Sequence, residues 1–210
     1  MHRDKEYVGI MRVHADISED DLKKEMEKFI GKINQLPPVR SRVKRAIRER
    51  EVKKFEILEK DGKDVLFISI VQAGTYIRKL ISDLGENIGG AHMLELRRTK
   101  AGFFSEEDKN FVNAYDFEKA VQEYKKGNEE LLRKILIPAE EAILRAVKKV
   151  EVGEDSVKNL LTGKPLMNSD VFGKFVEEEK FAVFCGERFI GIYRKVEEGD
   201  IVARADFVFN

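Results

Sequence analysis

Gly74-Thr75-Tyr76-Ile77-Arg78, followed downstream by Gly89-Gly90-Ala91-His92-Met93-Leu94-Glu95-Leu96-Arg97-Arg98, is the stretch on which the fold turns. Tyr76 and Arg78 alternate with Ile77, so in an extended segment their side chains leave the same face. An aromatic face beside a guanidinium suits a flat polar ligand next to a negative charge, such as a nucleobase on its phosphate chain. Taken alone, the pentapeptide also fits a strand-to-helix turn in which Gly74 bends the chain, Thr75 caps the helix, and Tyr76 and Arg78 are solvated. Leu80, Ile81, Leu84 and Ile88 recur at helical spacing, which predicts a helix from about Thr75 to Asn87, ended by Gly89-Gly90. Residues 92–104 predict a strand pair.

Outward from this stretch, residues 52–60 and 64–71 are strand-like and flank Asp61-Gly62-Lys63, a hairpin turn. Residues 6–14 predict another strand. Ser18 then opens a helix with Asp20 and Asp21 in its first turn and Leu22, Met26, Phe29 and Ile30 on one apolar face. Pro37-Pro38 starts a loop. Residues 116–149 look helical, with breaks at Gly127 and Pro138, and from Val150 a short helix gives way to several short strands. These patterns predict an α+β fold in two parts, residues 1–149 and 150–210, without strict strand–helix alternation.

Charged residues are abundant but balanced, 39 basic against 39 acidic, so bulk charge does not announce a nucleic-acid partner. Distribution does. Arg40, Arg42, Lys44, Arg45, Arg48 and Arg50 form the densest positive cluster, just after Pro37-Pro38, whereas Glu177, Glu178 and Glu179 lie far away in sequence. Such a run is usually a solvated face with salt bridges; its place after a proline-stiffened loop favours phosphate contact instead. Cys185 is the sole cysteine and sits in an apolar run, as a buried structural thiol would. His2, His14 and His92 are too scattered to suggest a metal site, and His92 is expected to fix a strand end. No apolar run reaches membrane-span length and no signal-peptide core is present, which predicts a soluble, cytoplasmic protein without a membrane partner.

Several motifs in order resemble the TruB/dyskerin family of pseudouridine synthases, in its archaeal and eukaryotic branch. Lys5-Glu6-Tyr7-Val8 is similar to the family's lysine-x-tyrosine strand, and Gly74 to Arg78 to its run before a helix. Ala91-His92 through Leu96-Arg97-Arg98 is similar to its leucine-arginine-arginine strand. Residues 36–50 look like its RNA-clamping thumb loop. The part from Val150, through Thr162-Gly163-Lys164-Pro165-Leu166 to the strands from Gly186 to Phe209, resembles a PUA RNA-binding domain.

The resemblance implies a partial synthase sheet with helices, followed by a small β-rich PUA domain. It implies that Tyr7 stacks on a flipped uridine, Tyr76 lines the same pocket, Arg78 pairs with the catalytic aspartate and Leu96 packs under the base. Arg97, Arg98 and Lys100 would support the strand or contact RNA, and no metal or organic cofactor would be needed. Structured RNA would be the partner, either tRNA or an H/ACA-type guide RNA with its target, together with small H/ACA proteins. The family's nucleophile, in a glycine-x-leucine-aspartate loop ahead of the lysine-x-tyrosine strand, has no counterpart in these 210 residues, and neither Asp4 nor Asp83 replaces it. A complementary N-terminal synthase subunit carrying that aspartate is therefore expected. An open sheet edge and exposed apolar surface should then mark the isolated chain. The alternatives are an excised piece of a longer enzyme, a non-catalytic PUA-type RNA-binding protein, or a structural subunit of an H/ACA-like particle.

Overall fold

The computed structural model describes residues 3–38, 43–173 and 175–209, which divide into two compact units, Met1–Phe111 and Val112–Asn210. Residue 150, where the sequence reading places a boundary, lies inside the second unit, which takes in the helices of 114–144 as well as the strand starting at Lys149.

In the first unit, the elements are β1 (Lys5–Val13), α1 (Glu19–Glu27), β2 (Gly31–Gln35), β3 (Arg48–Asp61), β4 (Asp64–Val71), α2 (Ile77–Asn87), β5 (Ala91–Ala101) and β6 (Phe104–Ser105). The strands form one antiparallel sheet in the order β2-β3-β4-β1-β5-β6. Alternation decides which face each side chain takes. Met11 and Val13 of β1, Val65, Phe67 and Val71 of β4, and Val52 and Phe55 of β3 are buried with Leu22 and Met26 of α1 and with Ile77, Leu80, Ile81 and Leu84 of α2. Ser18 caps α1 by accepting the Asp21 N–H, and Gly62, at φ 55°, makes the β3–β4 turn.

Three details differ from the sequence reading. α1 stops at Glu27, so Ile30 is not on its inward face but 46% exposed ahead of β2. β2 itself was not expected, because one inward isoleucine in Gly31-Lys-Ile-Asn-Gln35 makes no pattern without its partner strand. α2 begins at Ile77 rather than Thr75.

The second unit holds α3 (Ala114–Lys125), α4 (Glu130–Ile135), α5 (Ala139–Leu144), β7 (Lys149–Val152), α6 (Glu154–Leu161), β8 (Leu166–Met167), β9 (Val171–Phe172), β10 (Lys180–Cys185), β11 (Arg188–Glu198) and β12 (Ile201–Val208). Its sheet runs β8-β12-β11-β10-β7-β9, with β7 and β10 parallel. Val150, Val152, Phe181, Val183, Ile190 and Tyr193 pack against Leu160 of α6 on one face. Ala182, Phe184 and Phe189 pack with Ile143 and Val147 on the other. The Tyr193 hydroxyl donates to the Leu160 carbonyl at 3.1 Å, and Cys185 is a free, partly buried thiol beside the same core. No helix among the described residues is long and apolar enough to cross a membrane.

Candidate nucleic-acid interface

Between β4 and α2 the chain makes a tight corner. Gln72 N–H donates to Glu51 O at 2.8 Å and extends the sheet, while the Thr75 hydroxyl donates back to Gln72 O at 2.8 Å. Gly74 stands at φ 89°, a left-handed conformation, and a Cβ placed there would lie 3.3 Å from Arg50 Nε. Glycine thus permits both the bend and the close approach of a guanidinium from β3.

Tyr76 is the N-cap of α2, at φ −94° and ψ 101°, and makes no side-chain capping bond. Arg78 is therefore the second residue of a helix, which corrects the expectation that Tyr76 and Arg78 leave one face of an extended segment. Thr75 does not cap the helix either, since its hydroxyl is spent within the corner. Tyr76 is half-buried and Arg78 exposed. Lys79, next along, forms an ion pair with Asp83 one helical turn on, whereas Arg78 makes no ion pair among the described residues.

Tyr7 and Leu96 pack against the same core that receives Ile77 and Leu80 of α2. In the sheet register Tyr7 stands between Ser69 of β4 and Arg98 of β5, and Leu96 is opposite Gly9. Gly9 is required there: a Cβ would come within 2.8 Å of Glu95 O and 2.9 Å of Phe67 Cζ. Of the four residues expected around a base, Tyr7 and Leu96 of the sheet pack on this core, while Tyr76 and Arg78 flank Ile77 at the start of α2, the first half-buried and the second exposed.

The basic residues separate into groups. Arg97 belongs to the opposite face of the sheet, lines a cleft with Val8, Ile10, Leu66 and Glu95, and pairs with Glu106 at 2.7 Å. Lys100 stands 3.6 Å from Glu6. Arg98 is exposed and makes no ion pair among the described residues. Arg40 and Arg42 lie outside the described residues. Lys44 and Arg45 are exposed, and Arg48 opens β3, donating to Lys44 O at 3.4 Å. The expected loop of 36–50 is thus shorter at its far end, where Arg48 and Arg50 stand in the sheet opposite Gln35 and Ile33. Nearby, the hydrogen bond from Lys32 to Glu49 raises the lysine above its usual pKa. At the sheet's other end, Arg12 holds Asp64 below the usual carboxylate range. His14 Nε2 lies 2.8 Å from His92 Nδ1, where β1 ends and β5 begins.

Sequence reasoning missed two buried polar residues in this region. Gln35, 2% exposed, bonds the main chain of Tyr76, and Ser69 is fully buried. The signal for Gln35 was only its position beside Leu36-Pro37-Pro38. Among the described residues no group of three or more His, Cys, Asp or Glu is placed to hold a metal ion.

One side of the sheet is incomplete. β6 pairs only with Lys100 and Ala101, so the outer edge of β5 from Ala91 to Arg98 has no strand partner among the described residues. Leu94 is 39% exposed on that strand, and Val8, Ile10 and Leu66 line an open cleft of ≈ 380 Å³ on the face away from the helices.

Residues 78–144 match the tRNA pseudouridylate synthase B C-terminal domain family. The chain is 46% identical over 164 residues to a probable tRNA pseudouridine synthase B of Methanocaldococcus jannaschii, covering 76% of this chain and 47% of that protein. The chain thus spans about half the length of the curated relatives it matches. Among solved structures, it is similar to a chain of a Cbf5-Nop10-Gar1 complex, with TM-score 0.78 and 34% identity over 99% of this chain and 67% of that one. A chain from an H/ACA ribonucleoprotein bound to a substrate RNA containing 2′-deoxyuridine matches with TM-score 0.78 and 31% identity, covering 99% and 66%.

Proposed function

This chain belongs to the TruB/dyskerin family of pseudouridine synthases, and on that premise we propose that it supplies the uridine pocket of an RNA-modifying site whose nucleophilic aspartate arrives on a separate N-terminal chain. The observation that carries this reading is Arg78. An exposed guanidinium two residues after a half-buried tyrosine, with no ion pair among the described residues while its neighbour Lys79 has one, is suited to receive a carboxylate.

In this reading Arg78 keeps the incoming aspartate ionised and aimed, because an adjacent positive charge favours the carboxylate. Tyr7 stacks on the flipped uridine, Tyr76 walls the pocket, and Leu96 supports the base from the sheet. The N1–C1′ glycosidic bond is then broken, the base turned and rejoined to C1′ through carbon five, and the proton lost from carbon five is balanced by one gained at N1. Lys44, Arg45, Arg48 and Arg98 hold phosphates, and residues 150–210 grip structured RNA as a PUA domain, either tRNA or a guide RNA with its target. The edge of β5, without a strand partner from Ala91 to Arg98 among the described residues, and the open apolar cleft beside it support a docking role for the aspartate-bearing half.

The test is reconstitution. Mixing this chain with a polypeptide carrying the glycine-x-leucine-aspartate loop should restore conversion of uridine to pseudouridine in a tRNA transcript or a guide-directed target. RNA binding with no conversion in any such mixture would leave a non-catalytic RNA-binding subunit as the function.

A further inference from the structure

Gln35 is the last residue of β2, and its side-chain amide lies flat against the peptide groups of Tyr76. Oε1 accepts the Tyr76 N–H at 2.9 Å, and Nε2 donates to the Tyr76 carbonyl at 3.2 Å. A backbone N–H can only donate and a carbonyl only accept, so this pattern itself fixes which end of the amide is which. The same carbonyl accepts the Leu80 N–H at 3.0 Å, the first bond of α2. Tyr76 makes no side-chain capping bond, and Gln35 instead holds the main chain of this N-cap residue at both its N–H and its carbonyl, from β2. Leucine at this position would leave the Tyr76 N–H without this acceptor and its carbonyl with the Leu80 N–H alone, and a carboxylate would face the carbonyl with like partial charge.

Through its main chain, Gln35 is the register partner of Arg48. These two residues are the ends of the connection that carries the basic cluster. One residue therefore joins three things: the sheet, the foot of the basic connection and the N-terminus of the helix that presents Tyr76 and Arg78. We propose that Gln35 is a positioning residue, fixing Tyr76 and Arg78 to the base of the phosphate-binding connection so that RNA held by the loop meets a pocket of set geometry. This rests on the reading of Tyr76 and Arg78 as pocket residues and adds the part that aligns them.

Gln35→Met keeps length and removes both hydrogen bonds; Gln35→Glu keeps the acceptor and loses the donor. Amide hydrogen exchange on the 210-residue chain reads the clamp without any activity. In Gln35→Met the Tyr76 amide and the first turn of α2 should exchange at least about tenfold faster, with α1 and α6 unchanged. An unchanged Tyr76 amide overturns the clamp. In the reconstituted assembly, single-turnover conversion should fall about 10- to 100-fold while RNA affinity stays within about threefold, with Gln35→Glu intermediate. A rate that does not change, or affinity and rate falling together, overturns the positioning role. Should Gln35→Met fail to fold, Gln35→Glu carries the same two comparisons. A wild-type assembly with no activity counts against the proposed function, and the exchange result still decides the clamp.

Discussion

Ser69 stands directly across the β1–β4 ladder from Tyr7, and its hydroxyl is fully buried without a hydrogen-bond partner among the described residues. An unpaired buried hydroxyl contributes nothing that its removal could take away. Ser69→Ala should therefore leave unfolding in urea within about 1 kcal/mol of wild type. Phe67→Ala, two residues earlier on the same strand, should cost about 3–5 kcal/mol as a large buried side chain. A Ser69→Ala loss comparable to that of Phe67→Ala would show that the hydroxyl is engaged.

Gly9 is the converse, a position where even a methyl group does not fit. The added Cβ of Gly9→Ala meets Glu95 O and the Phe67 ring, and the sheet must shift to admit it. A destabilisation of about 1–3 kcal/mol is expected from overpacking. Because Leu96 is the register partner of Gly9, pseudouridine formation by the reconstituted assembly should fall further than stability alone explains. Measuring melting and turnover on the same preparation separates the two effects.

Arg78 should divide turnover from binding. Arg78→Ala is expected to lower the conversion rate about 100- to 1,000-fold while changing RNA affinity by less than about threefold. Arg78→Lys should recover little, since a point charge lacks the fork that holds a carboxylate in one orientation. Equal losses in rate and affinity would make Arg78 an RNA contact.

The basic connection should show itself through salt. Replacing Lys44, Arg45 or Arg48 by alanine should weaken RNA binding almost uniformly across sequences. Each substitution should also reduce the slope of log affinity against log salt by about 1. Titrations at several salt concentrations check this, and an unchanged slope would return that residue to a solvated surface role.

Tyr193 sets an alkaline limit on the second unit. Burial pushes its phenol up to about 12, with Asp170 adding to the shift, while the unfolded chain ionises near 10. A raised folded-state pKa contributes stability that is fully present below about 10 and lost as pH rises towards 12. Unfolding followed by tyrosinate absorbance should show this unit losing stability across that window. Tyr193→Phe should flatten the window, at the cost of the bond to Leu160 O.

Much of the fold was legible where the information is local. Ser18 with Leu22 and Met26, the Asp61-Gly62-Lys63 turn, and the glycine pair after Ile88 each declare themselves within a few residues. β2 did not, because its strand character comes from pairing with β3. For the same reason Arg48 and Arg50 read as loop residues in sequence and stand on a strand in the fold. Tyr76 and Arg78 read as alternating residues of an extended segment, whereas they are the N-cap and second residue of α2. The N-cap residue of that helix is held by Gln35, a residue 41 positions earlier in the chain. No periodicity reports such a contact.

Gln35 and Arg48 face each other in the ladder, so the connection between them leaves and re-enters the sheet at one fixed rung. Closing a longer loop across the same rung adds little entropic cost, about 0.6 kcal/mol for each doubling of length. Its span can thus be lengthened, shortened or exchanged between relatives without refitting the pocket beneath it. In the proposed function, reach along an RNA becomes a separately adjustable dimension, and exchanging that one segment should change which RNA shape is gripped.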